Sequence, residues 1–160
     1  MTPKAMKKTV QLIARQSWFP AIGKRTIPQI DKVLYKATRG RVGTMSASGF
    51  TGLLLTTTGR KTGKERSVPL LYVRHEGRYY LTGSNWGQQN HPAWSGNLMA
   101  NPEAMLTIKG ARIPVTARLL EGADRDAIWP VLTEIWPAYD IYTERSGREL
   151  RVFELTPRSG

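Results

Sequence analysis

The sequence predicts an α+β fold: an antiparallel sheet or small barrel of about six mainly antiparallel strands, with peripheral helices and a helical N-terminal extension. Three observations predict it. Short runs rich in Leu, Val, Thr and Tyr recur between residues 52 and 155. They are joined mostly by tight glycine turns, which suits antiparallel pairing and not a doubly wound parallel sheet. The chain has 160 residues, enough for one domain with a real core.

The elements follow in order. Met6, Val10, Ile13 and Ala14 share one helical face, with Lys7, Lys8 and Arg15 outside it. Trp18 and Phe19 follow, and Pro20 is expected to interrupt the helix. A second helix is expected from about Ile27 to Thr38, with Pro28 in its first turn, a packing stripe of Ile30, Val33, Leu34 and Ala37, and Gly40 at its end. Strands are expected at Gly52–Thr58, Ser67–Arg74 and Arg78–Thr82, the last two separated by the Glu76–Gly77 turn. Residues 83–89 read as loop. Asn90 is placed to cap a helix carrying Pro92, Trp94, Leu98 and Met99. Glu103–Lys109 and Arg112–Leu120 form a hairpin around Gly110. Asp124 is placed to cap a helix from Arg125 to Ile135, and Arg148–Leu155 is the last strand. The division expected is a basic helical extension, 1–43, and a cofactor-binding barrel, 44–160.

Composition narrows the chemistry. There is no cysteine, which excludes disulfides, thiolate nucleophiles and iron–sulfur clusters. The two histidines, His75 and His91, stand far apart, so no metal site is expected. Both read as surface or capping residues. No apolar run approaches the roughly 18–20 residues that span a bilayer, and no secretory signal is seen, so a cytoplasmic location is expected. Net charge is +12, with 24 basic and 12 acidic residues. Residues 1–43 carry ten of the basic residues against the single Asp31. Such an arm suits nucleic acid, an anionic membrane surface or an anionic ligand.

Three segments carry candidate chemistry. In GRKTGKER (59–66), Gly59 and Gly63 permit a tight bend with exposed N–H groups, ringed by Arg60, Lys61, Lys64 and Arg66. It is no nucleotide-hydrolysing loop: the glycine spacing is short, Lys64 is followed by Glu65, and the flanks are two strands. The alternatives are a solvated hairpin turn and an anion cradle. In GSNWGQQNHPAWSGN (83–97), small residues let a flat ligand approach the backbone, and Ser84, Asn85 and Gln88 can bond its edge. Core packing of Trp86 and Trp94 is the alternative. In WPAYDIY (136–142), Trp136, Tyr139 and Tyr142 fall near one helical face. This is either core or a wall with polar hydroxyl tips.

From about Gly49 to Pro157, TGRKTGKERSVPLLY and GSNWGQQNHPAWSGNLMANP resemble, in order and spacing, the deazaflavin-dependent nitroreductase family of actinobacterial flavin/deazaflavin oxidoreductases. The resemblance implies a split β-barrel that binds coenzyme F420 (8-hydroxy-5-deazaflavin), which has a flat ring, a phosphodiester and an oligoglutamate tail. It implies that Arg60, Lys61, Thr62, Gly63 and Arg66 take the phosphate and tail. Pro69 lies by the ring, and Ser84, Asn85, Trp86 and Gly87 contact its edge. Trp94 and Asn97 border the phosphate. Ser84, Tyr139 and Tyr142 line the acceptor side, where a hydroxyl can polarise an acceptor oxygen or relay a proton. The reaction implied is hydride transfer to an enone, quinone or nitroaromatic acceptor. Two residues depart from the family pattern: Trp136 replaces a tyrosine, and Leu71 stands where a tyrosine can follow the proline. A homodimer is compatible with the family. An FMN-binding relative is the main alternative, disfavoured because FMN has one phosphate and no acidic tail. A non-enzymatic nucleic-acid binder, stacking bases on Trp18 and Phe19, is the other, and no nucleic-acid module supports it. The arm is also compatible with a peripheral position on the inner membrane surface.

Overall fold

The computed structural model describes residues 3–39, 41, 43 and 50–159. Two helices, α1 (Pro3–Ala14) and α2 (Trp18–Ala37), lead into β1 (Gly52–Thr58), β2 (Glu65–Leu71), β3 (Val73–His75) and β4 (Arg78–Gly83). A 3-10 turn (Asn85–Gly87), α3 (Ala93–Ala100), β5 (Glu103–Ile108), β6 (Ala111–Leu120), α4 (Gly122–Ile135), α5 (Ala138–Ser146) and β7 (Arg151–Pro157) complete the chain. The strands form one antiparallel sheet in the order β2-β1-β5-β6-β7-β4-β3. The class is therefore α+β, with a curled half-barrel of seven strands.

The seventh strand arises where the sequence suggested one strand, 67–74. The chain leaves one sheet edge as β2, and one residue later joins the opposite edge as β3. That single residue, Tyr72, is pinned by its N–H to Thr51 O at 3.0 Å and by Thr51 Oγ1 donating to its carbonyl at 2.6 Å. The sheet thus curls on itself across a covalent link. The β3–β4 and β5–β6 turns each place two residues at positive φ, Glu76 and Gly77, then Lys109 and Gly110. Such turns follow the native strand twist.

Burial alternates along β1, where Leu53, Leu55 and Thr57 point inward. Leu53 and Leu55 belong to a core inside the barrel with Leu106, Val115, Phe153 and Leu155. A second core gathers α4, α5 and the ends of the sheet around Leu132, Trp136, Tyr142, Leu150 and Val152.

Four sequence expectations need correction. Pro20 does not interrupt a helix. It sits at the third position of α2, where its missing N–H has no partner to lose. Pro28 lies inside that helix instead of opening it. Ile30 and Val33 are 49% and 68% exposed, so the expected stripe faces away from the body; Gly23, Asp31 and Tyr35 are buried instead. Asn90 and Asp124 cap nothing: Pro92 and Glu121 occupy those places, Asn90 O accepts from Asn85 Nδ2, and Asp124 pairs with Arg118 at 2.9 Å. Met6 and Lys7 side chains and Gly40 lie outside the described residues. No described helix is long and apolar enough to cross a membrane.

The helical extension packs back on the body. Gln11 Nε2 donates to Ile135 O at 2.8 Å, and the Tyr142 hydroxyl reaches Ala14 O at 3.4 Å. Phe19 packs on Trp86 with ring centroids 5.6 Å apart. A Cβ on Gly23 would come within 3.0 Å of the Trp86 ring, so helix and indole are in close contact.

Candidate functional site

A cavity of about 930 Å³ runs along β2, between the sheet, α2, α3 and α5. At one end is the 59–64 turn. Gly59 N–H donates to Lys64 O and Gly63 N–H to Gly59 O, both at 2.8 Å. Gly63, at φ +68°, sits outside the cavity lining, and its N–H is consumed within the turn. Its part is conformational. The N–H groups of Lys61 and Thr62 have no hydrogen-bond partner among the described residues. Lys61 and Arg66 line the cavity with Lys24 and Arg25 of α2, and none of the four has a carboxylate partner among the described residues. Asp31, the one acid in the lining, is buried.

Arg60 is fixed differently. Its guanidinium donates to Ala93 O at 3.0 Å and Asn97 Oδ1 at 3.1 Å, and its backbone N–H also reaches Asn97 Oδ1. Asn97 Nδ2 in turn donates to Thr57 Oγ1 at 3.1 Å. Gly96 makes room for the clamp, since a Cβ there would lie 2.9 Å from the Arg60 guanidinium. Thus α3 holds Arg60 through neutral acceptors and leaves its charge unneutralised. Trp94 is buried against Phe153 and contributes its edge to the same wall.

The middle of the cavity is formed by Val68, Pro69 and Leu70 on one side and by the 84–88 loop on the other. Pro69 lies on an edge strand, where a missing donor is tolerated. Asn85, Trp86 and Gly87 have φ of +45°, +58° and +75°, three left-handed residues in a row. Such backbone is costly for the two non-glycine residues and needs support. Arg148, unremarked in the sequence, supplies it. It donates to Gly83 O, Ser84 O and Gln88 O at 3.1, 3.0 and 3.0 Å, and to His91 Nδ1 at 3.1 Å. Because an arginine is always a donor, His91 accepts at Nδ1 and carries its proton on Nε2. Burial, then Arg151 and Arg148, lower the His91 pKa and keep the ring neutral. His91 therefore belongs to the cavity wall and is not a free surface residue. The Ser84 hydroxyl makes no hydrogen bond to the described protein and lines the cavity. Gly87 lies behind the lining, where a Cβ would meet Tyr142 Cδ1 at 3.1 Å.

The far end is closed by Leu71, Thr82, Trp136, Tyr139 and Tyr142. The two tyrosines are on α5, and Trp136 is on the junction before it. Trp136 lies beside the Tyr142 hydroxyl. Burial pushes the Tyr142 pKa up to about 12 and the Tyr139 pKa further above its ordinary value, so both stay protonated. Thr82 lies beside Tyr139 close enough to oppose that rise, yet its hydroxyl has no partner at bonding geometry. Leu71 and Trp136 make this end more apolar than three tyrosines and a fourth on β2 would.

Of the expected site residues, all but Gly63 and Gly87 meet in this one cavity. It has an unneutralised cationic end, a flat apolar middle walled by backbone, and a protonated hydroxyl end. These features fit a flat cofactor with an anionic chain, and the described residues contain no group of metal ligands. A curled antiparallel half-barrel with such a cavity defines a split-barrel oxidoreductase that uses a flavin-like cofactor. The comparisons make it particular. Residues 29–157 match the F420H2-dependent quinone reductase family. The chain is 32% identical over 133 residues to an F420H2-dependent quinone reductase of Mycobacterium tuberculosis, covering 81% of this chain and 89% of that one. A solved F420H2-dependent reductase is 38% identical and superposes with a TM-score of 0.60 over 66% of this chain and 93% of its own. A second solved structure, described as a domain-swapped dimer, is 32% identical with a TM-score of 0.62, over 78% and 93%. The chain belongs to the F420H2-dependent quinone reductase family, and with it is an oxidoreductase that uses coenzyme F420.

Proposed function

We propose that this chain reduces quinones, with the cofactor's anionic chain at the 59–66 turn and the acceptor at the tyrosine end. The observation that carries the reading is the polarity of one cavity: cations without carboxylate partners at one end, buried protonated hydroxyls at the other. When bound, the reduced deazaflavin supplies the hydride. The protein's part is placement and electrostatics. Lys61, Arg66, Lys24 and Arg25 attract phosphate and tail carboxylates, and Arg60 offers its rigid fork. Pro69, Val68 and Leu70 give the ring an apolar face, and the Ser84–Gly87 backbone gives it a hydrogen-bonding edge. Ser84 and Tyr139 face the acceptor oxygen as negative charge develops there, and Tyr142, whose hydroxyl donates to Ala14 O, fixes the wall beside them. The α1–α2 extension closes the tyrosine end and excludes water, so it serves the barrel as a cover.

The test is a titration of the purified chain with F420, followed by ring fluorescence, and then quinone-dependent oxidation of the reduced cofactor. Saturable micromolar binding and turnover are expected. Absence of binding would sink the reading.

A second reading concerns where the acceptor comes from. Trp18, Ile22, Ile30 and Val33 form one exposed apolar face of α2, bordered by Lys32 and Lys36. This composition suits shallow docking on an anionic bilayer that carries lipid-soluble quinones. Flotation with anionic vesicles should retain the protein, and Ile22→Glu with Val33→Glu should release it. Equal flotation of both forms rejects the idea. The domain-swapped relative suggests that size-exclusion chromatography will also find a dimer.

A further inference from the structure

We infer that the hydroxyls of Thr82 and Tyr139 form a two-donor site for the carbonyl oxygen of the acceptor; this rests on the reading of the cavity as a quinone reductase site. Thr82 is on the last turnward part of β4, opposite Val152 of β7, and only 8% exposed. Its hydroxyl is the one buried side-chain polar atom left without a hydrogen-bond partner among the described residues. Threonine on a strand usually bonds a neighbouring side chain or backbone group, and an unmade bond in a buried hydroxyl is a standing cost. The hydroxyl itself is sealed, but Thr82 lines the cavity, so a ligand toward which the hydroxyl rotates can remove that cost.

Tyr139 completes the site. Its hydroxyl lies beside Thr82, 5% exposed, at the same end of the cavity. Each hydroxyl has one proton to give. Because they stop short of bonding each other properly, an oxygen with two lone pairs can accept from both. A quinone carbonyl has that shape of demand, and its oxygen gains charge as hydride arrives at the ring. Two donors on β4 and α5 meet that charge with no more than a hydroxyl rotation. Trp136 and Leu71, the two departures from the family's tyrosines, bring no hydroxyl to this end, and the Tyr142 hydroxyl already donates to Ala14 O. The load falls on Thr82, which no family motif marked.

The experiment compares Thr82→Val, which keeps the shape and removes the hydroxyl, with Thr82→Ser, which keeps the hydroxyl. Four quantities are read. Quinone kcat/KM should fall about tenfold in the valine variant and recover in the serine variant. Quinone affinity for the protein loaded with oxidised F420, read by quenching of cofactor fluorescence, should fall in parallel. F420 affinity without quinone should stay within about twofold of wild type. The melting temperature of the ligand-free valine variant should hold or rise, because an unpaired buried polar atom has been replaced by a methyl. Unchanged quinone kinetics, a lower melting temperature, or lost F420 affinity in Thr82→Val would each overturn the inference. Wild-type protein that binds no F420 would instead overturn the parent reading, and this one with it.

Discussion

The two ends of the cavity are built on opposite principles. The mouth is exposed charge on a hairpin turn; the floor is buried hydroxyl on β4 and α5. At the mouth, Lys61 and Arg66 need only be near an anion, because long side chains adjust and several share the task. At the floor, Tyr139 and Tyr142 are locked by packing, and an error of an ångström matters. The difference teaches that affinity and chemistry are separable in this protein. Substitutions at the mouth should change binding, and those at the floor should change turnover.

The largest expected effect tests the floor. Tyr139→Phe should lower quinone kcat/KM by about 100-fold while F420 affinity stays near wild type. Steady-state assays with a parallel fluorescence titration check it, and an equal loss of both would break the separation. Next is Arg60→Ala, expected to weaken F420 binding roughly 10- to 100-fold, because a clamped fork on an anion is lost. Arg60→Lys should recover only part, since an ammonium lacks the planar guanidinium fork for a bound anion.

Arg148→Lys lies between the two regions. It keeps charge but not the fork that holds the left-handed loop, so amide exchange at Gly87 and Gln88 should accelerate by roughly tenfold. Unchanged exchange would mean the loop supports itself. Smaller still, Lys61→Ala should weaken F420 binding about threefold at low salt. Near 1 M salt the difference should vanish, because the screening length shrinks to roughly 3 Å.

The last effect is on stability at alkaline pH. Burial raises the Tyr142 pKa from 10.0 to about 12, so the folded chain holds this proton after the unfolded chain has released it. The stabilising share is full below pH 10 and is lost as pH rises toward 12. Tyr142→Phe should flatten that decline in urea melts across the same window. The Tyr142 ring also rests 3.1 Å from where a Gly87 Cβ would be, so phenylalanine keeps the packing.

Much of this was legible in the sequence where the signal is local. The β1 strand was read at its full extent, because alternation and flanking turns mark it. GRKTGKER, SNWG and the tyrosines stood out because charge, glycine and aromatic spacing are visible along the chain. The α2 stripe misled because that helix is apolar on two faces, and periodicity cannot tell which of them meets the body. Pro20 misled because a proline in the first turn and one that breaks a helix look alike until the start of the helix is known.

The sequence by itself determined the α+β class, the chemical character of each segment and, through its motifs, the family. Tertiary structure decided which segments meet. It spent the Gly63 N–H inside the turn and clamped Arg60 to a helix more than thirty residues away in the chain. It placed Arg148 under a loop some sixty residues upstream and left Thr82 without a partner beside Tyr139. These are properties of pairs distant in the chain. A residue's type states what bonds it can make, and only the folded chain settles which of them are made and which are left for a ligand.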